Sequence, residues 1–345
     1  MKYQHVLSYV ARTLWAMDES KLDDLVSVLA FRAAGSVFTA EEIRARIGDP
    51  QPATSSTNGA VAIIPLRGVI AHRMGSMDES SGGMSAERFT GMIRQAAADA
   101  SIGTIVIDCD SGGGTIPGLI EASDAVFEAR DQKRVVAVAN AWMASAAYWV
   151  CSQAHEIVAI PSALDRCIGS LGVFMVHLDL SEKLAKEGIK ARIIRAGEHK
   201  AEGNLYEAPS DEFLADLKAN AVAAKAHFVK HVARARGLTP TQVVAQYGDG
   251  RAFSAPEALK AGLIDRIGTM DDTLGRLAGR TARGRLKAEE GTDYRLPHVY
   301  APIDGHCACD RSALDAIHRA GEIELPPAAI NAALDDEVRR RRRLL

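Results

Sequence analysis

Aromatic residues are scarce in this chain, 5% of 345 residues, although 47% of the residues are apolar. That apolar fraction is enough for a sizeable buried core and gives one main globular domain with extensions. Charge of one sign is also lacking. The formal net charge is −3, so nothing in the balance calls for a nucleic-acid partner. No run approaches the roughly 20 consecutive apolar residues of a membrane span, and the apolar opening stretch is broken by charge, which excludes a signal peptide. Cysteine is sparse and odd in number. Cys109, Cys151, Cys167, Cys307 and Cys309 read as reduced thiols of a cytoplasmic protein, with Cys109 and Cys151 in the core. Cys307 and Cys309 lie near His298 and His306, but without a second paired set they make no metal site.

What the sequence does contain is short β-runs alternating with helical stretches. Apolar strands at Ala60 to Leu66, Thr104 to Cys109, Arg134 to Ala139 and Glu156 to Ile160 are separated by helices over Ser85 to Ala98, Pro117 to Arg130 and the stretch around Ser145. This alternation predicts an α/β fold. Met1 to Gly48 reads as a helical extension with helices over Gln4 to Met17, Ser20 to Ala34 and Thr39 to Ile47. Residues 49–59, rich in Pro, Ser, Thr and Gly, read as a linker, 60–275 as the main domain and 276–345 as an irregular appended tail. The five arginines at 339–343 follow Asp335, Asp336 and Glu337 and read as a solvated terminus. The Ala-rich helix over Asp211 to Arg236 suits packing against another subunit, and Ser254 is an expected N-cap.

Three stretches carry chemistry. Arg134 to Ala139 leads through Asn140 to Ala144-Ser145-Ala146-Ala147, which places Ser145 where a strand gives way to a helix. There a hydroxyl is exposed, the first helical amides are unpaired, and the positive end of the helix dipole can steady an oxyanion. The small neighbours let a substrate backbone come close. The loop from Asp110 to Gly118 contains Gly112, Gly113 and Gly114, whose amides can point at a ligand. Finally, a strand from Ala191 to Arg195 delivers Lys200 on a loop. A lysine acts as a base near neutrality only if its pKa falls several units from about 10.4, which requires an apolar, closed surrounding. Leu171, Val173, Ile193 and Ile194 are the residues available for it.

These stretches, with Ile168 to Val173 between them, resemble the signal peptide peptidase A family of serine proteases, peptidase family S49. The likeness runs from about Ala60 to Gly268 and is greatest to the head-maturation proteases of tailed phages of the lambda type. The resemblance implies the ββα superhelix shared by the Clp protease and crotonase families. It also implies Ser145 as nucleophile, Lys200 as general base, Ser170 as the hydroxyl that positions the lysine amine, and the amides of Gly113 and Ala146 as the oxyanion hole. No cofactor or metal is implied. The family's loop usually reads Pro-Gly-Gly, whereas Gly112 stands in the proline position here, which leaves the loop less rigid.

The implied function is a Ser-Lys endopeptidase that processes capsid, scaffold or portal proteins during head maturation. It would work as a homo-oligomeric ring or dome in the host cytoplasm or procapsid interior. Other readings stay open: a cellular peptidase acting on signal-peptide remnants, for which no membrane anchor is apparent, and a non-proteolytic crotonase-fold enzyme or assembly protein. A Clp-type triad using His155 or His177 is a further alternative.

Overall fold

The computed structural model of the chain describes residues 13–18, 56–58, 60–74 and 83–281. In chain order the strands are β1 (Trp15–Met17), β2 (Ser56–Asn58), β3 (Val61–Ala71), β4 (Gly83–Ser85), β5 (Thr104–Thr115), β6 (Arg134–Ala144), β7 (Glu156–Ala159), β8 (Ile168–Gly169), β9 (Ala252–Phe253) and β10 (Arg266–Ile267). The helices are α1 (Ala86–Ala98), α2 (Leu119–Ala129), α3 (Ala146–Cys151), α4 (Ser181–Lys186), α5 (Asp211–Arg236), α6 (Pro240–Gln246), α7 (Ala255–Ala261) and α8 (Met270–Thr281).

The α/β class expected from the alternation is what the chain adopts. Strands β10, β7, β6, β5 and β3 lie side by side in that order with parallel ladders, and Ile105 to Ile107 of β5 and Val135 to Ala139 of β6 are continuous runs of fully buried Val, Ile and Ala. Such runs mark strands covered on both faces. α1 and α2 pack beside each other and insert Phe89, Ile93, Leu119 and Val126 into the core. Cys109 and Cys151 are buried there as expected, and Cys167 joins them.

Several sequence expectations need correction. The stretch Gln4 to Met17 does not end as a helix, because Trp15–Met17 pairs antiparallel with Gly113–Thr115 of β5; the rest of that stretch, the helices over Ser20 to Ala34 and Thr39 to Ile47, and the tail beyond residue 281, with Cys307 and Cys309, lie outside the described residues. Ser56–Asn58, placed in the linker, forms a strand against Val61–Ile63. Beyond the expected boundary at residue 275, α8 continues to Thr281. Arg276 on that helix donates to Glu156 at 2.7 and 3.1 Å, joining Arg134 at 2.8 Å and Arg266 at 3.3 Å. Burial raises the pKa of the Glu156 carboxyl, but these guanidinium groups outweigh it and hold the pKa below the ordinary value. One carboxylate thus ties β6, β7, β10 and α8 together.

Candidate active site

Ser145 sits at the junction of β6 and α3 with φ 53° and ψ −118°, a backbone conformation that L side chains adopt only under constraint. Two main-chain bonds hold it there. Its N–H donates to the Gly169 carbonyl at 2.7 Å, and its own carbonyl accepts from Trp149 N–H at 2.9 Å. The helix behind it is fixed on all sides. Tyr148 Oη donates to the Leu263 carbonyl at 2.8 Å, and Trp149 stacks on Phe228 of α5 at 4.7 Å. Ala144, Ala146 and Ala147 are fully buried, so the tight turn depends on side chains no larger than methyl. The Ser145 hydroxyl is buried and has no hydrogen-bond partner among the described residues.

The glycine-rich stretch expected as a loop forms the end of β5 and lies against this turn. Gly113 has φ 109°, and a Cβ placed on it would stand 3.1 Å from the Ala146 nitrogen and 2.2 Å from the Ala16 carbonyl oxygen. Gly113 and Ala146 are therefore neighbours. Their amides differ, however. Ala146 is the first residue of α3, where an N–H has no intrahelical partner, whereas Gly113 N–H donates to Ser111 Oγ at 3.1 Å, and Ser111 Oγ in turn donates to the Gly68 carbonyl at 2.6 Å. The expectation of a loop with free amides is corrected at this position: Ser111, which sequence reasoning passed over, takes up the Gly113 donor.

Ser170 follows β8, which pairs with the end of β6 through Met143 to Ile168 and Ala144 to Gly169. It also has a positive φ, 54°. Its N–H donates to the Arg251 carbonyl at 2.9 Å, and its carbonyl accepts from Gly172. Ser170 opens onto a cavity of about 540 Å³ whose wall includes Met17, Asp18, Phe174, Lys225 and Asp249. Lys225 is ion-paired to Asp249. Neither was singled out from sequence, since a lysine on an Ala-rich helix carries no local mark of a cavity.

Lys200 is exposed in the single chain. The stretch from Ala191 to Arg195 forms no strand, and Ile194 is 98% exposed, so the apolar enclosure expected around the lysine is not built by the described residues. The physical reason is that, among the described residues, no strand edge pairs with this stretch. Around Lys200 the loop is held by short-range contacts: Arg195 with Glu207 at 3.0 Å and His199 with Glu202 at 3.1 Å.

Of the histidines weighed as alternatives, His155 lies beyond the end of α3 and binds the backbone of Val135 through both its main-chain N–H and Nδ1. Burial, helped by the charges of Arg130 and Arg134, pushes its pKa down to about 4. These contacts are those of a structural residue. His177 packs edge-on to Phe213 at 5.7 Å, and its Nε2 is buried without a hydrogen-bond partner among the described residues.

Residues 128–282, which contain Ser145, Ser170 and Lys200, match peptidase family S49. Among curated relatives, the chain is similar to the head-tail preconnector protein GP5 of Enterobacteria phage P21, at 29% identity over 72% of this chain and 48% of that protein. It is also similar to capsid assembly protease C of Escherichia phage lambda, at 28% identity over 76% of this chain and 62% of that protein. Protease 4 of Salmonella typhi is 28% identical over 65% of this chain and 35% of its own length. The chain thus spans about half to three-fifths of the two phage relatives. Among solved structures, a ClpP1 variant from Listeria monocytogenes is similar at 16% identity, with 61% of this chain and 94% of that one covered and a TM-score of 0.37. The similarity to peptidase family S49 thus covers residues 128–282, a little under half of the chain.

Proposed function

We propose that this chain is a serine endopeptidase in which Ser145 is the nucleophile and Lys200 the general base, and that it processes capsid, scaffold or portal proteins during phage head maturation. The observation that carries this reading is the strained turn at Ser145, the residue immediately before Ala146, whose nitrogen lies near Gly113. Backbone held in such a conformation by the surrounding fold is characteristic of a preorganised site. The similarity to the phage lambda capsid assembly protease and to the phage P21 head-tail preconnector protein supports the choice of substrate class.

In the proposed reaction neutral Lys200 takes the proton from Ser145 Oγ as that oxygen attacks the scissile carbonyl. The oxyanion is held by Ala146 N–H, at the positive end of α3, and by Gly113 N–H once that amide exchanges Ser111 Oγ for the substrate oxygen. The lysine ammonium then delivers its proton to the leaving amine, and water hydrolyses the acyl-enzyme by the same route. Ser170 steadies the lysine amine.

Lys200 is exposed among the described residues, and in this reading the dry surrounding that a basic lysine needs comes from a second copy. Exposed apolar side chains mark the contact surface: Ile189 at 52%, Ile194 at 98% and Val222 on α5 at 59%. Lys225 shares the cavity wall with Ser170, but it is tied to Asp249 in an ion pair. The test is labelling of Ser145 by a fluorophosphonate, followed by mass spectrometry of the modified residue. Labelling that is lost in Ser145→Ala and strongly reduced in Lys200→Ala supports the dyad; labelling independent of Lys200 counts against it.

A further inference from the structure

The same site contains a feature that the peptidase reading does not use. Strand β1, Trp15–Met17, lies in the cleft beside the glycine loop. On one side it pairs antiparallel with β5, Ala16 opposite Gly114 and Met17 opposite Gly113, and Asp18 N–H donates to the Gly112 carbonyl at 2.8 Å. On the other, Trp15 N–H donates to the Phe174 carbonyl at 2.8 Å, and Phe174 N–H donates back at 3.0 Å. The segment is clamped by main-chain bonds from both flanks, and Trp15, Ala16 and Met17 are at most 3% exposed.

This is how a protein receives an extended guest peptide: backbone bonds to a strand edge hold it, and side-chain pockets select it. Two glycines make the approach possible. A Cβ on Gly113 would stand 2.2 Å from the Ala16 carbonyl oxygen, and one on Gly114 would stand 1.8 Å from the Ile70 carbonyl oxygen on the opposite side. The Ala16 carbonyl and the Ala146 nitrogen crowd the same point next to Gly113, which is where a scissile carbonyl must lie to meet the proposed oxyanion donors. The pairing of β6 with β5 ends at Ser111, so from Gly113 onward this edge of β5 belongs to β1. A substrate strand and β1 cannot both occupy it.

We infer that residues 15–18 fill the peptide-binding groove of their own chain in the manner of a substrate, and that this segment must leave before a protein substrate can enter. The inference rests on the peptidase reading for its meaning, but the groove and its occupant can be tested without catalysis. A tethered occupant competes at an effective concentration in the millimolar range, and the apparent affinity for an added peptide falls by the fraction of chains whose groove is open.

The experiment uses the full chain carrying Ser145→Ala and a fluorescent peptide with the sequence of residues 13–18, blocked at both ends. Trp15→Pro removes the N–H that bonds to Phe174, whereas Trp15→Phe keeps it. The expected result is that Trp15→Pro binds the peptide at least about ten-fold more tightly than the parent, while Trp15→Phe stays close to the parent. Equal affinity in Trp15→Pro and parent, or no binding by either, overturns the inference. Should Trp15→Pro fail to fold, hydrogen exchange on the parent decides: saturating peptide should speed exchange at residues 15–18, and binding without that change overturns the inference. If the peptide results hold but the Ser145 protein cleaves nothing, the peptidase reading fails and the self-occupied groove stands.

Discussion

Ser145 and Gly169 are joined by a 2.7 Å hydrogen bond, N–H to carbonyl, so the residue immediately before Ser170 holds the candidate nucleophile in its strained turn. Gly169 has φ 101°, and a Cβ on it would stand 2.9 Å from Leu263 Cδ2. Gly169→Ala should therefore cost about 1–3 kcal/mol of stability and shift the acceptor that fixes Ser145. Thermal unfolding should show the loss, and fluorophosphonate labelling of Ser145 should slow by about ten-fold or more, since a small displacement of a catalytic group is costly. A variant that is destabilised yet labelled at the parent rate would separate this bond from the chemistry.

The residue proposed to do the chemistry should weaken the fold. Its hydroxyl is buried without a partner among the described residues, which costs about 1–3 kcal/mol, and its backbone carries a positive φ. Ser145→Ala removes the first cost and Ser145→Gly both, less the roughly 0.5–1 kcal/mol entropic penalty of glycine. Both variants should unfold at a higher temperature than the parent and hydrolyse no substrate. A lower unfolding temperature would mean that the hydroxyl makes a stabilising contact.

His155 gives a pH dependence of known sign. Its folded pKa lies at about 4, lowered chiefly by burial, against about 6.5 in the unfolded chain. Between those values the unfolded state holds a proton that the folded state lacks, so stability rises with pH across this window and levels off above it. Replacing the group by His155→Gln should flatten the rise in unfolding temperature between pH 4.5 and 7. An unchanged slope would place the titration elsewhere.

How much of this was legible in the sequence depended on where the information lies. Helix α5 runs over Asp211–Arg236 as the sequence predicts, because its signals are local: Ser210 caps the first turn, Asp211 and Glu212 follow it, and Gly237 closes the helix at φ 67°. The N-cap at Ser254 was legible for the same reason. β1 was not. Trp15, Ala16 and Met17 continue a helix-like apolar spacing, and they become a strand because edges about a hundred residues away offer them hydrogen bonds. The reverse happened at Ala191 to Arg195, which has strand-like residues and no partner edge among the described residues. The candidate nucleophile and glycine loop were legible from small residues at a strand's end, whereas Lys225 and Asp249 enter the cavity wall through tertiary packing alone.

The central claim is tested most directly by co-expressing the chain with candidate phage capsid and scaffold proteins and following their cleavage by gel and mass spectrometry. Wild type, Ser145→Ala, Lys200→Ala and His177→Ala are compared. The account predicts cleavage by wild type and His177→Ala and none by the other two. Cleavage that survives in Lys200→Ala but is lost in His177→Ala would contradict the dyad in favour of a Clp-type triad, and an inactive wild type would contradict the peptidase reading itself.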